Sequence, residues 1–89
     1  MKLVFSKDAW SDYLYWQEHD RQILMRLNEV IRDVRRSPFD GIGKPEPLVG
    51  NLKGWWSRRI TREHRLVYRL RGDGAEQAVE IASCRLHYR

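Results

Sequence analysis

The chain has a single cysteine, Cys84, among 89 residues, so no internal disulfide can form. Stability must come from packing, and a reducing compartment is expected. One cysteine and three separated histidines, His19, His64 and His87, fall short of a zinc-ligand pattern, so no metal and no other cofactor is expected. No apolar run approaches the roughly 20 residues that span a bilayer. The opening Met1-Lys2-Leu3-Val4-Phe5 is too short for the apolar core of a secretory signal. The expectation is a cytoplasmic protein with no membrane partner. Acidic residues are also in the minority, 12 against 17 Lys and Arg, for a formal net charge of +5. That surplus suits a polyanionic partner such as nucleic acid or the ribosome, bound through phosphate contacts. A solvated basic surface with no partner fits the charge equally well.

What the chain has in quantity is apolar and aromatic surface: 42% hydrophobic residues and four Trp, too much for a disordered segment. Its length makes one domain, 1–89. Lys2 to Phe5 reads as a strand. Ser6 is a helix N-cap, with Asp8 placed to complement the dipole of a helix over Lys7 to His19. Trp10, Tyr13 and Leu14 sit there at helical spacing, widened by Tyr15 and Trp16, and read as packing residues rather than a base-stacking platform. Asp20 caps a second helix, Arg21 to Arg36, whose Ile23, Leu24, Leu27, Val30, Ile31 and Val34 form one stripe. Its arginines lie mainly off that stripe, as a solvated face or a ribosome-contacting flank. Ser37-Pro38 ends it.

Residues 38 to 54 hold all three prolines and four of the six glycines, and form a loop long enough to suggest function in so small a domain. Trp55 to Thr61, Arg65 to Arg71 and Gln77 to Cys84 read as three strands of an antiparallel meander. Leu66, Tyr68 and Leu70 alternate with Arg65, Val67, Arg69 and Arg71, so one sheet face packs on helices while the other presents arginines. The fold class is α+β, with an N-terminal strand and two helices on one face of a mainly antiparallel sheet.

Several residues have the chemistry for phosphodiester cleavage without a metal. RNA brings its own nucleophile, the 2′-hydroxyl. Glu46, held between Pro45 and Pro47, suits a general base, because a glutamate is ionised at neutral pH. His87 suits the acid, since histidine changes charge near neutrality. Arg59 and Arg65 suit phosphorane stabilisation through bidentate contacts. Tyr88 suits stacking or a phosphate hydrogen bond. Each has a plainer reading: a loop carboxylate, half of an ion pair, a terminal surface pair. Arg58 reads as the structural member beside Arg59, and His64 as a turn residue.

Five segments together carry a resemblance: Asp12-Tyr13-Leu14-Tyr15-Trp16-Gln17-Glu18, Gly43-Lys44-Pro45-Glu46-Pro47-Leu48, Trp56-Ser57-Arg58-Arg59-Ile60-Thr61, Glu63-His64-Arg65-Leu66-Val67-Tyr68 and Arg85-Leu86-His87-Tyr88. In this order the chain closely resembles the YoeB family of bacterial toxins, within the RelE/ParE toxin superfamily. The resemblance implies a RelE-like fold and the toxin of a type II toxin–antitoxin pair. It implies a ribosome-dependent mRNA interferase that cleaves message in the A site by 2′-hydroxyl attack, leaves a 2′,3′-cyclic phosphate and inhibits translation. By resemblance Glu46 is the base, His87 the acid and Arg65 the transition-state stabiliser; Arg59 and Tyr88 assist, and Lys44 contacts RNA. The implied partners are a YefM-like antitoxin, the 70S ribosome at its 30S decoding site with mRNA, and a second copy in a homodimer. Operator DNA is reached only through the antitoxin complex.

Three departures accompany the likeness. Some relatives carry a basic residue where this chain has Val49-Gly50; Arg89 follows Tyr88, where relatives often end; and Arg71 to Glu80 is longer, as an extended hairpin tip. Two other readings stand beside the nuclease: a non-enzymatic toxin of the same fold acting on DNA gyrase, and a module that blocks the ribosome without cutting. The first would lack the combination of Glu46, Arg65, His87 and Tyr88 present here.

Overall fold

The computed structural model describes residues 1–87, and Tyr88 and Arg89 lie outside them. Strand β1 (Lys2–Phe5) leads into helices α1 (Lys7–His19) and α2 (Arg21–Arg36), followed by β2 (Glu46–Pro47), β3 (Trp56–Arg59), β4 (Arg65–Arg71) and β5 (Ala78–Ser83). Short 3₁₀ turns at Gly50–Leu52 and Gly74–Glu76 complete the connections.

Both helices start where local chemistry predicts. Ser6 Oγ accepts from the Ala9 amide at 3.0 Å, and the same hydroxyl donates to Ala82 O at 2.9 Å, tying the start of α1 to β5. Asp20 closes α1 by donating its amide to Trp16 O and opens α2 by accepting from the Ile23 amide at 3.1 Å. A single residue thus ends one helix and begins the next. No helix among the described residues is long and apolar enough to cross a membrane.

The sheet order is β1-β5-β4-β3-β2, with β1 parallel to β5 and every other pair antiparallel. Leu27, Val30, Ile31 and Val34 of the α2 stripe and Trp16 of α1 meet Leu66 and Tyr68 of β4 and Val79 and Ile81 of β5 in one buried cluster. Cys84 is buried there as a small hydrophobe, just past the end of β5. Trp10 is the exception among the helical aromatics. It is 49% exposed and stacks on Tyr13, with Phe5 edge-on to both.

Two boundaries differ from the expected ones. Strand β3 stops at Arg59, because the Ile60 and Thr61 amides both turn to donate to His64 O. Glu46, expected in a loop, pairs with Ser57 as a two-residue edge strand.

Beneath that edge lies a buried ion pair. Arg58 is fully buried, and its Nη1 donates to Asp33 Oδ2 of α2 at 2.6 Å. The rest of the guanidinium is saturated: Nε donates to Tyr68 Oη at 3.2 Å, Nη1 to Ile42 O at 2.9 Å, and Nη2 to Ser37 O and Asp40 O. Asp33 also accepts from Arg36 and from the Ile42 amide at 3.0 Å. The Arg36 guanidinium first, then that of Arg58 and the Ile42 amide, hold the Asp33 carboxyl down at about 2 against the opposing effect of burial.

A carboxyl held below its unfolded value stabilises the fold above the unfolded pKa, and that contribution disappears as pH falls through the folded one. For Asp33 the window runs from about pH 4 to about pH 2 and carries about 2 kcal/mol. Asp33→Asn is expected to cost about 3–5 kcal/mol in urea unfolding at pH 7, because it leaves Arg58 buried without its counter-charge. It should also flatten the loss of stability between pH 4 and 2. An unchanged urea midpoint at pH 7 would contradict this account.

Candidate active site on the open face of the sheet

The sheet register assigns each candidate residue to a face. Arg58, Leu66 and Tyr68 point to the helices, so their neighbours Ser57, Arg59, Arg65 and Val67 belong to the opposite face, where Arg59 is exposed while Ser57, Arg65 and Val67 are buried. Glu46, Ser57, Val67 and Ser83 form one row across β2, β3, β4 and β5. Arg59 and Arg65 face each other two residues further along. At a strand spacing of about 4.8 Å, Glu46 and the arginine pair stand roughly 10 Å apart along the backbone, a gap their side chains can close on one phosphodiester.

Glu46 reaches this face because of the loop before it. Arg58 ties down the carbonyls of Ser37, Asp40 and Ile42, and Arg59 N donates to Gly43 O at 2.6 Å. On the far side Leu48 N donates to Trp55 O at 2.9 Å, so hydrogen bonds bracket the Pro45-Glu46-Pro47 segment. Gly43 is required for the approach: its φ is +78°, and a Cβ would stand 2.7 Å from Arg59 O. Lys44 follows, exposed and also left-handed at φ 52°. Glu46 is exposed and borders a cleft of about 310 Å³ lined by Pro47, Leu48, Val49 and Leu52. Val49 in the wall of this cleft is 84% exposed.

The arginines of the open face divide into two groups. Arg69 and Arg71 pair with Glu80, at 2.7 and 3.6 Å, and Arg69 also covers the Trp55 ring. Arg59 and Arg65 have no ion pair among the described residues, although like charges directly opposite on neighbouring strands repel. Arg65 is 9% exposed, and its Nη1 donates to the carbonyls of Thr61, Arg62 and His64, which holds the guanidinium in place. Arg59 is exposed and Arg65 largely buried, and two cations opposite each other on neighbouring strands suit an anion at the exposed margin of the pair.

The tail beyond β5 is gripped residue by residue. Asp12 Oδ2 accepts from the Cys84 amide at 3.0 Å, and Trp16 Nε1 donates to Cys84 O at 2.8 Å. The Arg85 guanidinium lies 3.6 Å from the centroid of the Tyr15 ring. Leu86 N donates to His64 Nδ1 at 2.8 Å, while Leu86 O accepts from the Arg65 amide at 2.9 Å. His87 follows, exposed. The Arg59–Arg65 row therefore lies between the Glu46 edge and the tail that carries His87; Tyr88 lies outside the described residues.

Two residues have larger parts than the sequence suggested. His64, read as a turn residue, sits in the turn but also binds the tail 22 positions away. Asp33, hidden among the polar residues of α2, anchors the loop that carries Glu46. No local pattern marks either one. Gly43→Ala is expected to destabilise the fold by about 1–3 kcal/mol through its left-handed backbone and the clash with Arg59 O. Thermal unfolding measures that loss, and amide shifts at Glu46 and Leu48 should report the displaced edge strand.

Comparison with known proteins adds three findings. A sequence model described as the YoeB-like toxin of bacterial type II toxin–antitoxin systems matches residues 5–88. Toxin YoeB of Escherichia coli K12 is 58% identical over 99% of this chain and 100% of its own length. Among solved structures, a YoeB/ParE toxin from Agrobacterium tumefaciens superposes with a TM-score of 0.94 at 51% identity, covering 99% of this chain and 100% of the other. The Staphylococcus aureus YoeB dimer and the YoeB-YefM heterotetramer from the same organism superpose at 0.87 and 0.86, both at 42% identity, covering 99% of this chain and 98% of the other.

Proposed function

The chain belongs to the YoeB-like toxins of bacterial type II toxin–antitoxin systems, and from that premise we propose that it is a ribosome-dependent endoribonuclease that cleaves mRNA in the A site and halts translation. The observation that carries the reading is the Arg59–Arg65 pair, which has no ion pair among the described residues, with Glu46 at one side and the His87 tail at the other.

In this reading the scissile phosphate lies against Arg59 and Arg65. Glu46 takes the proton of the 2′-hydroxyl, and the oxygen attacks phosphorus in line. The two guanidinium groups stabilise the charge that builds on the phosphorane oxygens. The bond to the 5′-oxygen breaks as His87 delivers a proton to it, leaving a 2′,3′-cyclic phosphate and a 5′-hydroxyl. The nucleophile belongs to the substrate, and one base, one acid and fixed cations complete the step without a metal. Lys44, two residues before Glu46, contacts the RNA backbone, and Tyr88 assists at the leaving side.

The same reading assigns the partners. A YefM-like antitoxin neutralises the toxin, as supported by the S. aureus YoeB-YefM complex, and the S. aureus YoeB dimer supports a homodimer. The toxin reaches operator DNA through the antitoxin complex, and it acts in the cytoplasm, where translating ribosomes are.

Cut-site mapping on a translating message tests the chemistry. Glu46→Gln and His87→Ala are each expected to slow cleavage by about 10²–10⁴-fold with antitoxin affinity retained. Translation arrest undiminished in both variants would overturn the nuclease reading. Wild-type products should end in 2′,3′-cyclic phosphate; 3′-hydroxyl ends would refute 2′-hydroxyl attack.

A further inference from the structure

We propose that His64 is a positioning residue for the proton-donating side of the site: its Nδ1 holds the Leu86 amide and so sets where His87 stands. The inference rests on His87 being the acid.

The seat for the tail is stiff. His64 N and the Glu63 amide both donate to Thr61 Oγ1, and His64 O accepts from Ile60 N, Thr61 N and Arg65 Nη1. The imidazole packs edge-on against Trp16, 4.6 Å between centroids, and Trp16 itself donates to Cys84 O. The backbone that carries the ring and the wall beside it are therefore both fixed.

The tail is bent where His64 grips it. Leu86 has φ 63°, a left-handed conformation that is strained for a non-glycine residue. Such a conformation persists only where the surroundings over-determine it. Here consecutive residues do so: the His64 ring takes the Leu86 amide, and the Arg65 amide takes the Leu86 carbonyl. The reversal comes one residue before His87, so any slack at Leu86 passes directly to the acid.

The bond also dictates a charge state. To accept from an amide, Nδ1 must keep its lone pair, which requires a neutral ring with its proton on Nε2. Burial and the nearby Arg85 and Arg65 disfavour the imidazolium, outweighing Glu63 and Asp12. The two histidines then act in opposite states, His64 as a neutral acceptor and His87 as a proton donor.

Single-turnover cleavage on programmed ribosomes tests this with five variants. His64→Ala is expected to slow cleavage by about 10–100-fold, the scale of an ångström-sized misplacement, with ribosome affinity unchanged. His64→Asn offers a carboxamide oxygen near the Nδ1 position and should recover most of the rate. His64→Gln places that oxygen one methylene further out and should not. Combined with His87→Ala, His64→Ala should add no further loss, because both act on one proton transfer. In the slowed His87→Ala protein, hydrogen exchange at the Leu86 amide should accelerate when His64 becomes Ala. A wild-type rate for His64→Ala, equal rates for Asn and Gln, or a full additive loss in the double variant would each overturn the inference. If His87→Ala alone cleaves at the wild-type rate, the acid assignment falls instead.

Discussion

The buried Arg58–Asp33 pair is the contact on which the rest of the molecule turns. Two charges in a core this small are costly unless every remaining proton and lone pair is satisfied. Here the satisfaction comes from the backbone of residues 37 to 42, so the charge on β3 becomes the anchor for a loop with little regular structure of its own. Carbonyls bound to Arg58 hold the loop, helped by Ile42 against the core and Phe39 against Trp56, and its sequence accommodates glycine and proline. These permit the tight approach at Gly43 and the rigid Pro45-Glu46-Pro47 edge.

The open face shows a second economy. Among the described residues, its basic side chains either pair with Glu80 or stand as a like-charged pair between the Glu46 edge and the tail. A surface selected only for solubility would have little reason to sort them so. Repulsion between Arg59 and Arg65 destabilises the free protein slightly and favours whichever anion enters, so part of the binding preference resides in the unliganded fold.

What was legible in the sequence was local. Ser6 and Asp20 mark both helix starts because a cap bonds its own next turn. The α2 stripe and the alternation of β4 follow from their periods, and family likeness rested on long contiguous segments. Longer-range features were not legible. Asp33 and Arg58 are 25 residues apart, His64 and Leu86 are 22, and nothing near any of them announces the partner. The parallel pairing of β1 with β5 was equally hidden, since it depends on how two helices return the chain to the sheet. Residue chemistry selected Glu46, Arg59, Arg65 and His87 as candidates, and the register, which no local pattern reveals, puts the first three on one face.

The junction at Asp20 links these parts mechanically. Only Asp20 separates α1 from α2, so a single residue joins the two helices. Helix α2 holds the Glu46 loop through Asp33, and α1 holds the His87 tail through Asp12 and Trp16. The Glu46 loop and the His87 tail are thus moored to two arms of one helical bracket, and a torque that tilts the bracket against the sheet would change the gap between them from both sides at once.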